Sequence, residues 1–255
     1  MRTGRPLAAR IVAGLGALFW GWMFFGVQDT LTVFVEGKDF AAHYLMETGW
    51  GLLFLVLVAV PLIGLAFRPR ATVLVAQVAT VGVSVLLGAL MARSPAHLLP
   101  AGGLLLTAFV VGVLGRPDTR SYRLRVDRPL AVLALVAVVP ALTYAWRMAH
   151  SPHDVEQTVN LDHYPIQAAL GIAIALLAGL VAVAGEWPTA WLARATLVVT
   201  VGWMGIESAV YPHRLGSFGP AWSWLAVAWA ALFALHVTAT CDRLPESVLR
   251  THRAD

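Results

Sequence analysis

Residues 42–67 read AHYLMETGWGLLFLVLVAVPLIGLAF, an apolar run in which Glu47 is the only side chain that is formally charged at neutral pH. The hydrocarbon core of a bilayer is about 30 Å thick, and an α-helix crosses it with roughly 20 apolar residues. A run of this length and composition therefore predicts a transmembrane helix.

The composition of the whole chain agrees with that prediction. Of the 255 residues, 59% are hydrophobic and 13% are charged, and the mean hydropathy is +0.74. Soluble domains are about 45–50% apolar and about 25% charged, so a water-soluble globular domain is excluded. The 22 glycines follow no triplet period and there is a single cysteine, which excludes collagen and a disulfide scaffold. The sequence predicts an all-α polytopic integral membrane protein.

Seven further apolar runs are of similar character, which brings the expected number of transmembrane helices to eight. The fourth run is the shortest and lies at the lower limit for crossing a bilayer. The eight predicted helices cover residues 10–27, 42–67, 71–91, 100–114, 130–150, 164–184, 190–210 and 220–240.

The basic residues indicate how these helices are oriented. If the N-terminus is cytoplasmic, 14 of the 18 Lys and Arg residues fall on inner segments, which leaves Lys38, Arg93, Arg147 and Arg214 outside. Positive charge is retained on the cytoplasmic side of membranes, so we expect a multi-pass plasma-membrane protein with both termini inside. The inner arginines are expected to face anionic lipid headgroups, so the predicted partner is the bilayer and not a nucleic acid. The excess of Arg over Lys and the abundant Ala suggest a bacterial source.

A shift of 120 residues aligns the second half of the chain with the first, helix one on helix five and so on. The informative matches are Val35-Glu36 with Val155-Glu156, His43-Tyr44 with His163-Tyr164, Gly51 with Gly171, Thr80-Val81-Gly82 with Thr200-Val201-Gly202, and Pro100-Ala101 with Pro220-Ala221. They predict a tandem duplication, with membrane repeat one at 1–126 and membrane repeat two at 127–255. Four spans per repeat give both copies the same orientation. The alternative is coincidence within a biased composition.

Imidazole and carboxylate groups gather at the predicted outer ends of the helices. His43 and Glu47 are four residues apart near the start of the second helix, so they share a helix face. His163 and Gln167 occupy the matching positions in the second half. An imidazole and a carboxylate on one face can ligate a transition metal or pass a proton.

Glu207 lies about one turn inside the outer end of the seventh helix. An ionised carboxylate in lipid costs at least a few kcal/mol unless it faces protein or water, so we expect it to point inward, toward His213 or His163. The expected substrate or proton site consists of Glu207, Glu47, Tyr44 and Tyr164. The candidate metal ligands are His43, His163, His97 and His213.

Three functions stay open. The sequence contains no His-Glu-x-x-His, Walker, dinucleotide-binding or Gly-x-Ser-x-Gly motif. The favoured function is binding or translocation of an ion or small solute through the outer His/Glu cluster. A membrane-embedded metal-dependent or redox enzyme with an extracytoplasmic site and a transition-metal cofactor is the second. The third is a structural or assembly subunit that docks a membrane partner or another copy of itself.

Overall fold

The computed structural model describes residues 4–35, 43–116, 126–151, 163–184 and 190–241. Within these ranges the chain forms ten α-helices, some of which join end to end. They are α1 (Gly4–Leu18), α2 (Gly26–Val35), α3 (Tyr44–Gly51), α4 (Val60–Phe67), α5 (Thr72–Met91), α6 (Leu98–Gly115), α7 (Arg128–Ala149), α8 (His163–Val183), α9 (Ala190–Val210) and α10 (Pro220–Cys241).

Seven helical segments in the described part are long and apolar enough to cross a membrane. They are Pro6–Thr32, Tyr44–Phe67, Thr72–Met91, Pro95–Gly115, Arg128–Ala149, His163–Val183 and Pro220–Ala239. This is the architecture of a helical membrane protein, as predicted. The fourth span is longer than expected, because the 3-10 turn Pro95–His97 precedes α6 and extends it to 21 residues.

Eight transmembrane helices were predicted and seven such segments are found among the described residues; the missing one is α9. This helix is 21 residues long but carries Arg194 and Glu207, and it does not reach the apolarity of the other seven. Both charged side chains are buried, 9% and 5% exposed respectively. The charges of α9 therefore face protein, where a helix tolerates them better than in lipid.

The helices pack as an antiparallel bundle with α8 at its centre. α8 contacts α3, α5 and α7, while α9 packs along α10 and α1 packs along α4 and α6. Most residues of α8 are small or aliphatic and buried, which suits a helix that is surrounded by other helices. We call the end of the bundle where His43, His97 and His163 precede or begin α3, α6 and α8 the histidine end.

Two predicted helices are interrupted by π-helical segments. Phe19–Met23 lies between α1 and α2, and Leu52–Ala59 joins α3 to α4. The first interruption ends in a sharp turn at Phe25, which has a φ of 65°. The aromatic rings of Trp20, in the first π-helical segment, and Phe54, in the second, stack with centroids 5.7 Å apart. The chain then continues as α2, so helical structure extends beyond residue 27, where the first helix was predicted to end.

Candidate functional site

Three acidic or imidazole side chains from three helices meet at the histidine end. Asp29 of α2, Glu47 of α3 and His163 of α8 each offer one ligand atom, and these atoms lie within 4.8 Å of one another. Nε2 of His163 is 3.4 Å from Oε2 of Glu47. We call Asp29, Glu47 and His163 the carboxylate–imidazole cluster.

Glycines in α3 allow the neighbouring helices to approach closely enough to form this cluster. A Cβ atom at Gly51 would collide with the amide nitrogen and hydroxyl of Thr30, so only glycine lets α2 lie here. A Cβ atom at Gly49 would collide with the side-chain amide of Gln167 on α8. Since Thr30 follows Asp29 and Gln167 lies one turn after His163, these two contacts bring all three cluster helices together.

The carboxylate–imidazole cluster is largely removed from water. His163 is 2% exposed, Asp29 is 9% exposed and the side chain of Glu47 is 14% exposed. The Trp50 ring packs against the imidazole of His163 with centroids 4.8 Å apart, and its Nε1 donates to the carbonyl oxygen of Phe24 at 3.1 Å. Buried ionisable groups are costly unless they are paired or coordinate a metal. A bound cation would offset the cost of burying these groups.

His43 immediately precedes α3 and is also buried. Burial lowers the pKa of the His43 imidazole; Glu47 opposes this effect and His163 adds to it. His43 lies one helical turn before Glu47, whose backbone N–H donates to the His43 carbonyl oxygen at 3.0 Å. A neutral imidazole is the form that binds metals, so His43 is suited to act as a further ligand.

Glu207 pairs with a different residue from those expected. The hydroxyl of Thr48 donates to Oε1 of Glu207 at 2.9 Å, in place of His213 or His163. The second oxygen, Oε2, is buried and has no hydrogen-bond partner among the residues that the structure describes. Because Thr48 adjoins Glu47 in α3, Glu207 lies on the neighbouring face of that helix, outside the 4.8 Å group.

The remaining candidate histidines lie in different surroundings. His97 is 4% exposed; its Nδ1 is 2.9 Å from the hydroxyl of Ser94, and its ring faces Trp50 at 6.2 Å. The ring of Trp50 thus lies in contact with both His97 and His163. His213 is exposed in the turn between α9 and α10. No hydrogen bond, ion pair or ring contact joins His213 to another described residue.

The two candidate tyrosines pack their rings among apolar or aromatic neighbours. The Tyr44 ring lies 5.7 Å from that of Tyr211 in an edge-to-face contact. Tyr164 is 1% exposed and belongs to a small apolar group that includes Met46 and Tyr144. Of the predicted site residues, the structure brings together Glu47 and His163, and the rings of Tyr44 and Tyr164 occupy packing positions.

Asp29 is the cluster residue that sequence reasoning missed as a ligand. It lies two residues beyond residue 27, where the first helix is predicted to end, and so falls outside every predicted helix. Val27, Leu31 and Phe34 are spaced four and three residues apart, a helical period that could have indicated α2.

Comparison with known proteins gives no relative: the chain matches no protein-family model, no curated protein and no solved structure.

Proposed function

We propose that this membrane protein binds a divalent first-row transition-metal cation at the carboxylate–imidazole cluster. The observation that carries the proposal is the convergence of ligand atoms of Asp29, Glu47 and His163 within 4.8 Å. Carboxylate oxygen and imidazole nitrogen are ligands for Zn²⁺, Mn²⁺ and Fe²⁺, whereas Cu(I) favours the sulfur ligands that the cluster lacks.

A divalent cation would balance the charge of the cluster when both carboxyl groups are ionised. The cluster places two carboxyl groups against one imidazole, so protonation of His163 alone would neutralise only one ionised carboxylate. A divalent ion neutralises both while His163 stays neutral, as a ligand must. His43 can complete four-coordination, or its position can be left to a water or solute molecule.

We further propose that α9 is an eighth span. Its length is sufficient, and Arg194 and Glu207 are turned into the bundle, so its charges need not face lipid. Eight spans return the chain to the side on which it starts. Combined with the distribution of arginine, this favours a plasma-membrane protein with cytoplasmic termini and an outward-facing histidine end.

The duplication of residues 1–126 as 127–255 is supported by paired glycines. Gly51 lies against α2 in the first half, and its match Gly171 lies against α7 in the second. Gly82 lies against α6, and its match Gly202 lies against α10. Each pair serves the same helix contact in its own half. The cluster then takes two carboxylates from repeat one and one imidazole from repeat two, an arrangement in which ions bind between repeats. The matching dipeptide at 155–156 lies outside the described residues.

Metal content tests the proposal directly. Purified protein in detergent is stripped with a chelator, re-equilibrated with Zn²⁺ or Co²⁺, and analysed for bound metal by mass spectrometry. We expect Asp29→Asn, Glu47→Gln and His163→Gln each to weaken binding by roughly 10-fold or more, since each removes a ligand. With Co²⁺, the bound metal should absorb visible light in the wild-type protein, and this absorption should be lost in the same variants that lose bound metal.

The control is a second carboxylate–imidazole pair at the opposite end of the bundle. Asp127 and His236 are 3.1 Å apart and half-buried, but no third ligand joins them among the described residues. Asp127→Asn should leave metal binding unchanged. Size-exclusion profiles identify any variant that has lost its fold. Stripped wild-type protein that takes up no metal, or binding that survives all three cluster substitutions, would contradict the proposal.

A further inference from the structure

A cavity of about 500 Å³ lies between α7, α8 and α10. It falls within the range of about 300–1,000 Å³ that is usual for small-molecule sites. The lining is apolar and aromatic for most of its length. Its main contributors are Val136, Pro140, Tyr144, Trp222, Leu225 and Trp229.

Hydrogen bonds between α7 and the α9–α10 region define the two ends of this cavity. Toward the opposite end of the bundle, Nε1 of Trp229 donates to the carbonyl oxygen of Leu133 at 2.8 Å. At the histidine end, the hydroxyl oxygen of Tyr144 lies 3.0 Å from the carbonyl oxygen of Gly216, and Arg147 donates to the carbonyl oxygen of Ser217. The helices are separated between these two levels.

The cavity opens sideways, toward the surface that faces lipid in a membrane. Its rim residues Val136, Trp222 and Leu225 are 61%, 53% and 56% exposed. α7 and α10 are both spanning helices, so the opening lies within the depth of the bilayer. A ligand would therefore enter from the lipid phase.

The positively charged side chain of Arg147 lies at the histidine end of this otherwise apolar cavity. The guanidinium of Arg147 lies 5.6 Å from the centre of the Tyr144 ring. In the part of the chain that the structure describes, no carboxylate forms an ion pair with it. Arg has five N–H donors, and the bond to Ser217 uses one of them. The free donors suit a phosphate, which guanidinium groups bind in a bidentate manner.

We propose that this cavity binds one acyl chain of an anionic glycerophospholipid, with the lipid phosphate held by Arg147. The apolar lining fits the hydrocarbon chain, and the sideways opening fits entry from the bilayer. The positive charge of Arg147, which no carboxylate of the described residues pairs, selects an anionic headgroup. This lipid site uses no residue of the carboxylate–imidazole cluster and does not depend on metal binding.

Retention of defined lipids tests the site. Delipidated full-length protein is mixed with equal amounts of phosphatidylglycerol and phosphatidylcholine that carry the same acyl chains, and retained lipid is measured by native mass spectrometry. We expect wild-type protein to retain phosphatidylglycerol preferentially. Arg147→Gln should reduce that preference by roughly 10-fold, because it removes a charge-assisted hydrogen bond. Arg147→Lys should keep part of it.

Two further variants separate the headgroup contact from the cavity itself. Arg93→Gln removes an exposed arginine from the turn between α5 and α6 at the same end and should leave the preference unchanged. Leu225→Trp should fill the cavity and reduce retention of both lipids, while the size-exclusion profile stays normal and reports an intact fold. The proposal is overturned if wild-type protein retains both lipids equally, if Arg93→Gln acts like Arg147→Gln, or if the filled cavity retains lipid as before.

Discussion

Gly171→Leu is expected to destabilise the protein strongly, whereas Gly179→Leu on the same helix is expected to leave its stability close to that of the wild type. A Cβ atom at Gly171 would lie 2.6 Å from the carbonyl oxygen of Ala141 and 3.0 Å from the Cβ of Ala145. The obstruction includes α7 backbone, which cannot rotate away as a side chain can. A Cβ atom at Gly179 has nothing within 4 Å.

The difference follows from how membrane helices associate. Without a hydrophobic force between helices in lipid, close backbone approach supplies much of the packing energy. Overpacking a core costs about 1–3 kcal/mol, and more where backbone must move, so Gly171→Leu should separate α7 from α8. Fluorescence-detected size exclusion and thermal unfolding in detergent measure the outcome. Equal behaviour of the two variants would show that the close contact of α7 with α8 does not limit stability.

Local sequence features were enough to predict seven membrane-length helices and part of the site. Long apolar runs identify membrane helices because the bilayer demands that length and composition from each one separately. The spacing of His43 and Glu47 follows from helix geometry alone. The 120-residue alignment pointed to His163 as their counterpart, and the structure places His163 Nε2 beside Glu47.

Other features depend on contacts between helices and could not be predicted from local sequence. The π-helical segment Phe19–Met23 and the turn at Phe25 carry Asp29 to Glu47, although apolarity fades near that point. Glu207 bonds to Thr48 because α9 packs against α3, and no local pattern contains that contact. Arg194 and Glu207 lower the apolarity of α9, and they are buried only because the other helices of the bundle surround them.

Gln167→Glu is expected to lower the melting temperature by roughly 10 °C, corresponding to the loss of about 3 kcal/mol. Nε2 of Gln167 donates to the carbonyl oxygens of Met46 at 2.7 Å and Leu45 at 3.2 Å, while Oε1 accepts a bond from Tyr144 at 2.7 Å. The residue is fully buried. A carboxylate would place an oxygen against two carbonyl oxygens, and a buried unpaired charge is strongly destabilising.

Gln28→Glu is the matched control, because Gln28 is exposed and its amide donates to a single carbonyl oxygen, that of Trp22. Its melting temperature should stay close to wild type. Gln167→Leu, which loses the bonds without adding charge, should fall between the two. A Gln167→Glu variant as stable as Gln28→Glu would mean that this amide does not hold α8 to α3.

The 120-residue shift aligns Gln167 with Glu47, and the two side chains have opposite hydrogen-bonding roles. Glu47 supplies acceptor oxygens to the carboxylate–imidazole cluster, whereas Gln167 must supply N–H donors to the backbone of the helix that carries Glu47.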